Sequence, residues 1–213
     1  ATLRRDHVRV AGGAVRFCYL AKGGVERTLR VADEDVRAVV RGLLRRADDS
    51  VELLAYRRGR HWCDVRSTDV NAYLRQVSGM EITAKDFRTW NGTVLAAVTL
   101  GLAELDAAAR ADRRRAAGRR DAAAGRPSAT ARRRVVSRTM REVAAYLGNT
   151  PGVARTSYVD PRVVDLFGDG VTIAPTLRAV GGAPPAATDA AAREAVEAAV
   201  REMLATGGEP AAA

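Results

Sequence analysis

Between His7 and Val31 the hydrophobic period is two. After Asp33 it is close to 3.6, and that switch constrains the fold more than any other feature of the chain. The stretches "HVRV", "AVRFCYLA" and "VERTLRV" alternate apolar and polar residues, separated by "AGG" and "KGG". Both separators supply glycines for tight turns, so the spacing predicts a three-stranded antiparallel meander. Lys22 then stands at the tip of the second hairpin, where a charged turn residue is ordinarily a solvated one.

The rest reads as helices. "ADEDVRAVVRGLLRRA" opens on acids and closes on arginines, with Val36, Val39, Val40, Leu43 and Leu44 on one face. Residues 51–65 are mixed and fit a loop with a hairpin or strand. "STDVNAYLRQVSG" predicts a short helix capped by Ser67 or Thr68 and ended by Gly79. A long helix is expected from near Thr83, its apolar side including Phe87, Val94, Leu95, Val98, Leu100 and Leu102. Lys85 and Arg88 lie in its first turns, one helical step apart, and share a face. From 107 to 130 the composition turns to Ala, Arg, Asp and Gly, which suits an extended arginine-rich helix, a linker, or both. "RRRVVSRTMREVAAYLGNTP" turns Val135, Val136, Met140, Val143, Ala144 and Leu147 inward and is stopped by Gly148 and Pro151. "PGVARTSY" and "DPRVVDLF" start short helices. Beyond Gly168 a Gly/Pro/Ala segment with little core is expected, then a last helix in "AAREAVEAAVREMLA". The fold class is α+β, mostly helical, with a small N-terminal antiparallel sheet.

Charge narrows the partner. A formal net charge of +10 and a pI near 10.6 point to a polyanion, nucleic acid before anionic membrane. Of 35 cationic side chains 33 are Arg and two are Lys, Lys22 and Lys85. Lysine can be tuned to give up its proton and arginine cannot, so both positions are candidates for chemistry. Cys18 and Cys63 are too few for a disulfide framework or a zinc site, and His7 and His61 are distant in sequence without obvious metal partners. P-loop, GxGxxG and HExxH patterns are missing, so no cofactor or metal is expected. No apolar run approaches the roughly 20 residues of a membrane span, and no signal-peptide pattern opens the chain. The expectation is a cytoplasmic, nucleoid-associated protein without membrane contact. The start at Ala1, without Met, reads like a piece of a longer or processed protein.

What remains is a spread set: Lys22 at a hairpin tip, "KDFRTW" opening a helix, "LGNTP" closing another, and Tyr158 just after. "TAKDFRTWNGTVLAA" together with "VAAYLGNTPGVARTSYVDPRVVDLF" resembles the catalytic domain of bacterial and poxvirus-type type IB DNA topoisomerases. "TLRRDHVRV" and "YLAKGGVERTL" fit the hairpins that precede it in that family. The resemblance runs over residues 1–168, with 169–213 as an added segment and helix. It implies that Tyr158, nine residues beyond Asn149, attacks the scissile phosphate. It implies that Arg88 of "KDFRT" clamps the non-bridging oxygens and that Asn149, where poxvirus enzymes have His, adds a neutral donor. Lys22 would be the general acid for the leaving hydroxyl, although Ala21 precedes it where Gly is common. Lys85 and Arg155 are candidate DNA contacts.

The implied activity is relaxation of supercoiled double-stranded DNA by a monomer, through a 3′-phosphotyrosyl bond, without ATP, metal or a small-molecule cofactor. The family's second clamp arginine and its N-terminal domain lie ahead of the "TLRRDHV" motif, so this chain is expected to bind DNA and to cleave or relax it poorly. Tyrosine recombinases share the chemistry but usually show HxxR and LGH where this chain has "KDFR" and "LGN". A non-enzymatic DNA-binding module explains the charge but not four reactive residue types in family order. Binding to a membrane surface through the arginine helix is a third reading.

Overall fold

A computed structural model describes residues 3–21, 24, 26–117, 128–185 and 189–206. The chain forms two compact units, Ala1–Ala84 and Lys85–Ala213. As the change of period predicts, the fold is α+β and mostly helical, with the small sheet at its start.

The first unit opens with a 3-10 turn and the meander β1 (Val8–Ala11), β2 (Ala14–Leu20) and β3 (Glu26–Val31), in that order and antiparallel throughout. Ala11 pairs with Ala14, so Gly12 and Gly13 make a two-residue turn, and both have positive φ (56° and 72°). That backbone is the one glycine takes without strain. One face of the sheet buries Val8 and Val15 against α1 (Glu34–Leu44), joined by Leu53. Asp33 caps α1 by accepting from Val36 N at 2.9 Å. Of the five residues expected inward on α1, Val40 and Leu43 are buried and Leu44 is half-buried, whereas Val36 and Val39 are exposed. The segment 51–65 holds a hairpin, β4 (Ala55–Arg58) with β5 (His61–Asp64). Arg46 is buried beneath it, donating to Leu53 O at 2.8 Å and to Asp48 at 2.8 Å.

Helix α2 (Ser67–Ser78) corrects one expectation. Its N-cap is Arg66 rather than Ser67 or Thr68, because Asp69 reaches back to accept the Arg66 N–H at 2.7 Å. Gly79 ends it in the left-handed region, as expected.

The second unit is built on α3 (Ala84–Ala116), 33 residues and about 50 Å long. Its central turns are small and apolar, and Ala96, Ala97, Val98 and Leu100 are all nearly inaccessible. Phe87, expected inward, is half exposed, because it precedes the turns that other helices cover. By length and composition α3 could cross a membrane, contrary to the expectation that no run would qualify. Half of the qualifying window is buried in the protein's own core. The arginine-rich run continues α3 as helix to Ala116, and residues 118–127 of it lie outside the described residues.

Against α3 pack α4 (Ala129–Leu147), α5 (Pro151–Ser157), α6 (Pro161–Asp169), α7 (Ala174–Ala179) and α8 (Ala190–Thr206). The segment after Gly168 was expected to hold little core, and the structure differs. Ile173, at the N-cap of α7, and Ala174 and Leu177 within it are buried, and the expected last helix, α8, buries Val196 and Val200. Gly101 lies close under α7: a Cβ there would stand 2.8 Å from Leu177 Cδ1 and 3.3 Å from Ala174 N. Gly148 ends α4 in the left-handed region, while Pro151, expected to help stop α4, opens α5 at its N-terminus.

Candidate active site

The stretch from Leu147 to Asp160 is a helix end, a turn, a helix of about two turns and an extended exit. Gly148 N and Asn149 N both donate to Ala144 O, which closes α4. Thr150 caps α5 by accepting from Val153 N at 3.4 Å, with Pro151 in the first helical position where no N–H is needed. Tyr158 ends α5, half-buried, its N–H donating to Ala154 O at 3.1 Å.

Arg88 comes to this turn from α3. Its Nη2 donates to Leu147 O at 2.8 Å, supplying a partner to a carbonyl that the end of α4 leaves open. A cation at a helix C-terminus is also favoured by the helix dipole. The same guanidinium lies 5.2 Å from the centre of the Tyr158 ring, within cation–π range. Arg88 is therefore aimed from two sides, and among the described residues Leu147 O is its one hydrogen-bond acceptor. Most of its five donors remain for an anion. Asn149 sits at the same turn with its Nδ2 buried and, among the described residues, without a hydrogen-bond partner.

Two residues that sequence reasoning missed hold Tyr158 against α3. Gly92, one turn beyond Arg88, lets the chain come close: a Cβ at residue 92 would stand 2.5 Å from Tyr158 O. Buried Thr93 accepts the Asp160 N–H at 3.1 Å. The available signal was a glycine inside a strong helical pattern, which costs helix stability and so often marks a close approach.

Residues 1–165 match the family model described as the eukaryotic DNA topoisomerase I catalytic core. The chain belongs to the type IB DNA topoisomerase family. Comparison with curated proteins gives no match. Family membership makes DNA the substrate, in keeping with the net charge of +10.

Of the residues singled out as a topoisomerase site, the structure brings three together: Arg88, the turn bearing Asn149, and Tyr158. Lys85 is exposed one helical step before Arg88. Arg155 is exposed on α5 and, with Arg132 and Arg133 of α4, lines a groove of about 550 Å³ floored by Val136, Met140 and Phe167. Lys22 lies outside the described residues. No cluster of three metal-ligating side chains occurs among the described residues. Just past the tyrosine, hydrogen bonding from Arg162 holds the Asp160 carboxyl below its ordinary value of 3.8.

Proposed function

We propose that this type IB topoisomerase is of the bacterial and poxvirus kind, and that residues 1–168 carry the breaking and rejoining of DNA, with 169–213 as an added C-terminal segment. The "KDFRT" motif and Asn149 in the "LGNTP" turn support that subtype. Tyr158 Oη attacks the scissile phosphorus. A bond forms from Oη to phosphorus, the bond from phosphorus to the 5′ oxygen breaks, and the phenol proton leaves to solvent. Lys22 Nζ gives a proton to the departing 5′ oxygen. The product is a 3′-phosphotyrosyl bond and a free 5′ hydroxyl. Reversal after strand rotation reseals the nick, and because one ester replaces another the cycle needs no ATP; with Arg88 and Lys22 meeting the developing charge, the reading calls for no metal ion.

Each residue type answers a specific need. A phenol ordinarily titrates near pH 10 and attacks better with cations at hand. Charge gathers on the non-bridging oxygens in the transition state, where Arg88 offers a planar fork and Asn149 an amide donor. Donors so placed contribute about 2.7–4 kcal/mol each. An alkoxide is a poor leaving group, which gives Lys22 its role as general acid. Lys85 and Arg155 would contact phosphates beside the site. The enzyme would act as a monomer on double-stranded DNA in the cytoplasm, at the nucleoid.

The observation that carries this reading is Arg88, held by Leu147 O and 5.2 Å from the Tyr158 ring, at the turn where Asn149 Nδ2 is buried and, among the described residues, unpartnered. Trapping the full-length protein on supercoiled plasmid with denaturant and mapping the modified peptide tests it. The adduct should map to Tyr158, and Tyr158→Phe should bind DNA without forming one. An adduct that persists in Tyr158→Phe would overturn the assignment.

A further inference from the structure

The main chain leaving Tyr158 is held at more points than a helix end requires. Tyr158 O rests against Gly92, the Val159 side chain is buried, and the Asp160 N–H is taken by Thr93. The chain is then tied onward to the last helix. Asp160 accepts Arg162 Nε at 3.0 Å and Nη2 at 2.7 Å, while Arg162 Nη1 donates to Leu204 O at 3.1 Å. Leu204 is in the final turn of α8, where carbonyls lack helical partners and a cation is welcome. A second tie joins α8 to α3: Trp90 Nε1 donates to Glu197 Oε2 at 3.1 Å, two residues along from Arg88. Helix α8 therefore grips both the segment that carries Tyr158 and the segment that carries Arg88. It lies beyond residue 165, where the family match ends.

We propose that α8, acting through Arg162 and Glu197, is a positioning element of the cleavage site that sets the separation of Tyr158 and Arg88. Arg162 is spent on Asp160 and Leu204 O, so its role is to position the chain rather than to react. It works by joining Asp160 to α8 with a planar fork that two acceptors share, a geometry a lysine cannot supply to both at once. Phosphoryl transfer depends on in-line approach, so a displacement near 1 Å is enough to slow it about 100-fold. The arrangement also explains why an alanine-rich terminal helix buries Val196 and Val200 in the catalytic unit's core. This proposal rests on Tyr158 being the nucleophile.

The test uses Arg162→Ala, Arg162→Lys and Glu197→Gln in the full-length protein, with Tyr158→Phe alongside. Three quantities are measured: the rate of denaturant-trapped adduct on supercoiled plasmid with protein in excess, retention of the same plasmid on filters, and thermal melting. Arg162→Ala is expected to slow adduct formation about 10- to 100-fold with plasmid affinity unchanged and the protein folded at the assay temperature. Arg162→Lys should recover only part of the rate, and Glu197→Gln should lie between wild type and Arg162→Ala. If Tyr158→Phe forms no adduct while Arg162→Ala and Glu197→Gln react at the wild-type rate, the positioning role is wrong and the nucleophile stands. A loss that vanishes on cooling in step with melting would equally overturn it, as a stability effect. Should Arg162→Ala fail to fold, Arg162→Lys and Glu197→Gln decide on the same measurements. An adduct in Tyr158→Phe would instead remove the nucleophile reading beneath it.

Discussion

Asn149 is costly to the folded protein in a way that packing does not explain. Its Nδ2 is buried and, among the described residues, unpartnered. A polar group left so costs about 1–3 kcal/mol. An acceptor arriving with the substrate would remove that cost, and a non-bridging phosphate oxygen is such an acceptor. Asn149→Ala should therefore leave the melting temperature unchanged or slightly raised, since it removes a desolvated donor with no bond to lose. The same change should slow strand cleavage about 10²–10³-fold, the usual effect of deleting one oxyanion donor. Melting and plasmid relaxation on one preparation check both halves. A large fall in stability with little loss of rate would make Asn149 a structural residue. The neighbouring Arg88 differs, because it already serves the fold through Leu147 O, and its replacement would mix two effects.

At the scale of elements, α6 begins directly after the tyrosine segment and depends on Asp160. The carboxylate accepts from Arg162 N at 3.0 Å as the helix cap and pairs with the Arg162 side chain. That hydrogen bonding lowers its pKa from 3.8, so the unfolded chain binds the proton more readily than the folded one. The stability Asp160 adds is thus complete above the unfolded value and is lost as pH falls through the lower, folded value. Asp160→Asn should melt below wild type at pH 7, and the gap should close as the pH drops beneath about 4, as melting in acid series will show. Legibility in the sequence follows the same division. The meander was readable because alternation and paired glycines are local signals, and the end of α4 because Gly148 marks it. The partners of α7 and α8 were not. In an alanine-rich helix periodicity tells which face is apolar but not what covers it, and Trp90 meets Glu197 across 107 residues with no local mark. Arg88, Asn149 and Tyr158 were readable together through family resemblance, each being unremarkable singly, whereas Thr93 left no signal and Gly92 a faint one.

For the whole molecule the governing quantity is charge: a net +10 carried by 33 arginines and two lysines. Such a chain binds duplex DNA chiefly by releasing counterions, so its affinity falls linearly on a logarithmic salt scale, with slope near −0.9 for each phosphate neutralised. The groove bearing Arg132, Arg133 and Arg155 concentrates that charge on the second unit, with Arg155 on α5 three residues before Tyr158. If the duplex backbone runs there, Arg155 counts as one phosphate contact. Arg155→Ala should then reduce the magnitude of the salt slope by about 0.9 and weaken binding evenly across unrelated DNA sequences, because a phosphate contact carries no base information. Titrations of two unrelated duplexes from low to moderate salt measure both effects. An unchanged slope would place the backbone elsewhere on the molecule. A loss confined to one duplex would mean that Arg155 reads bases, and the groove would then be a specificity surface.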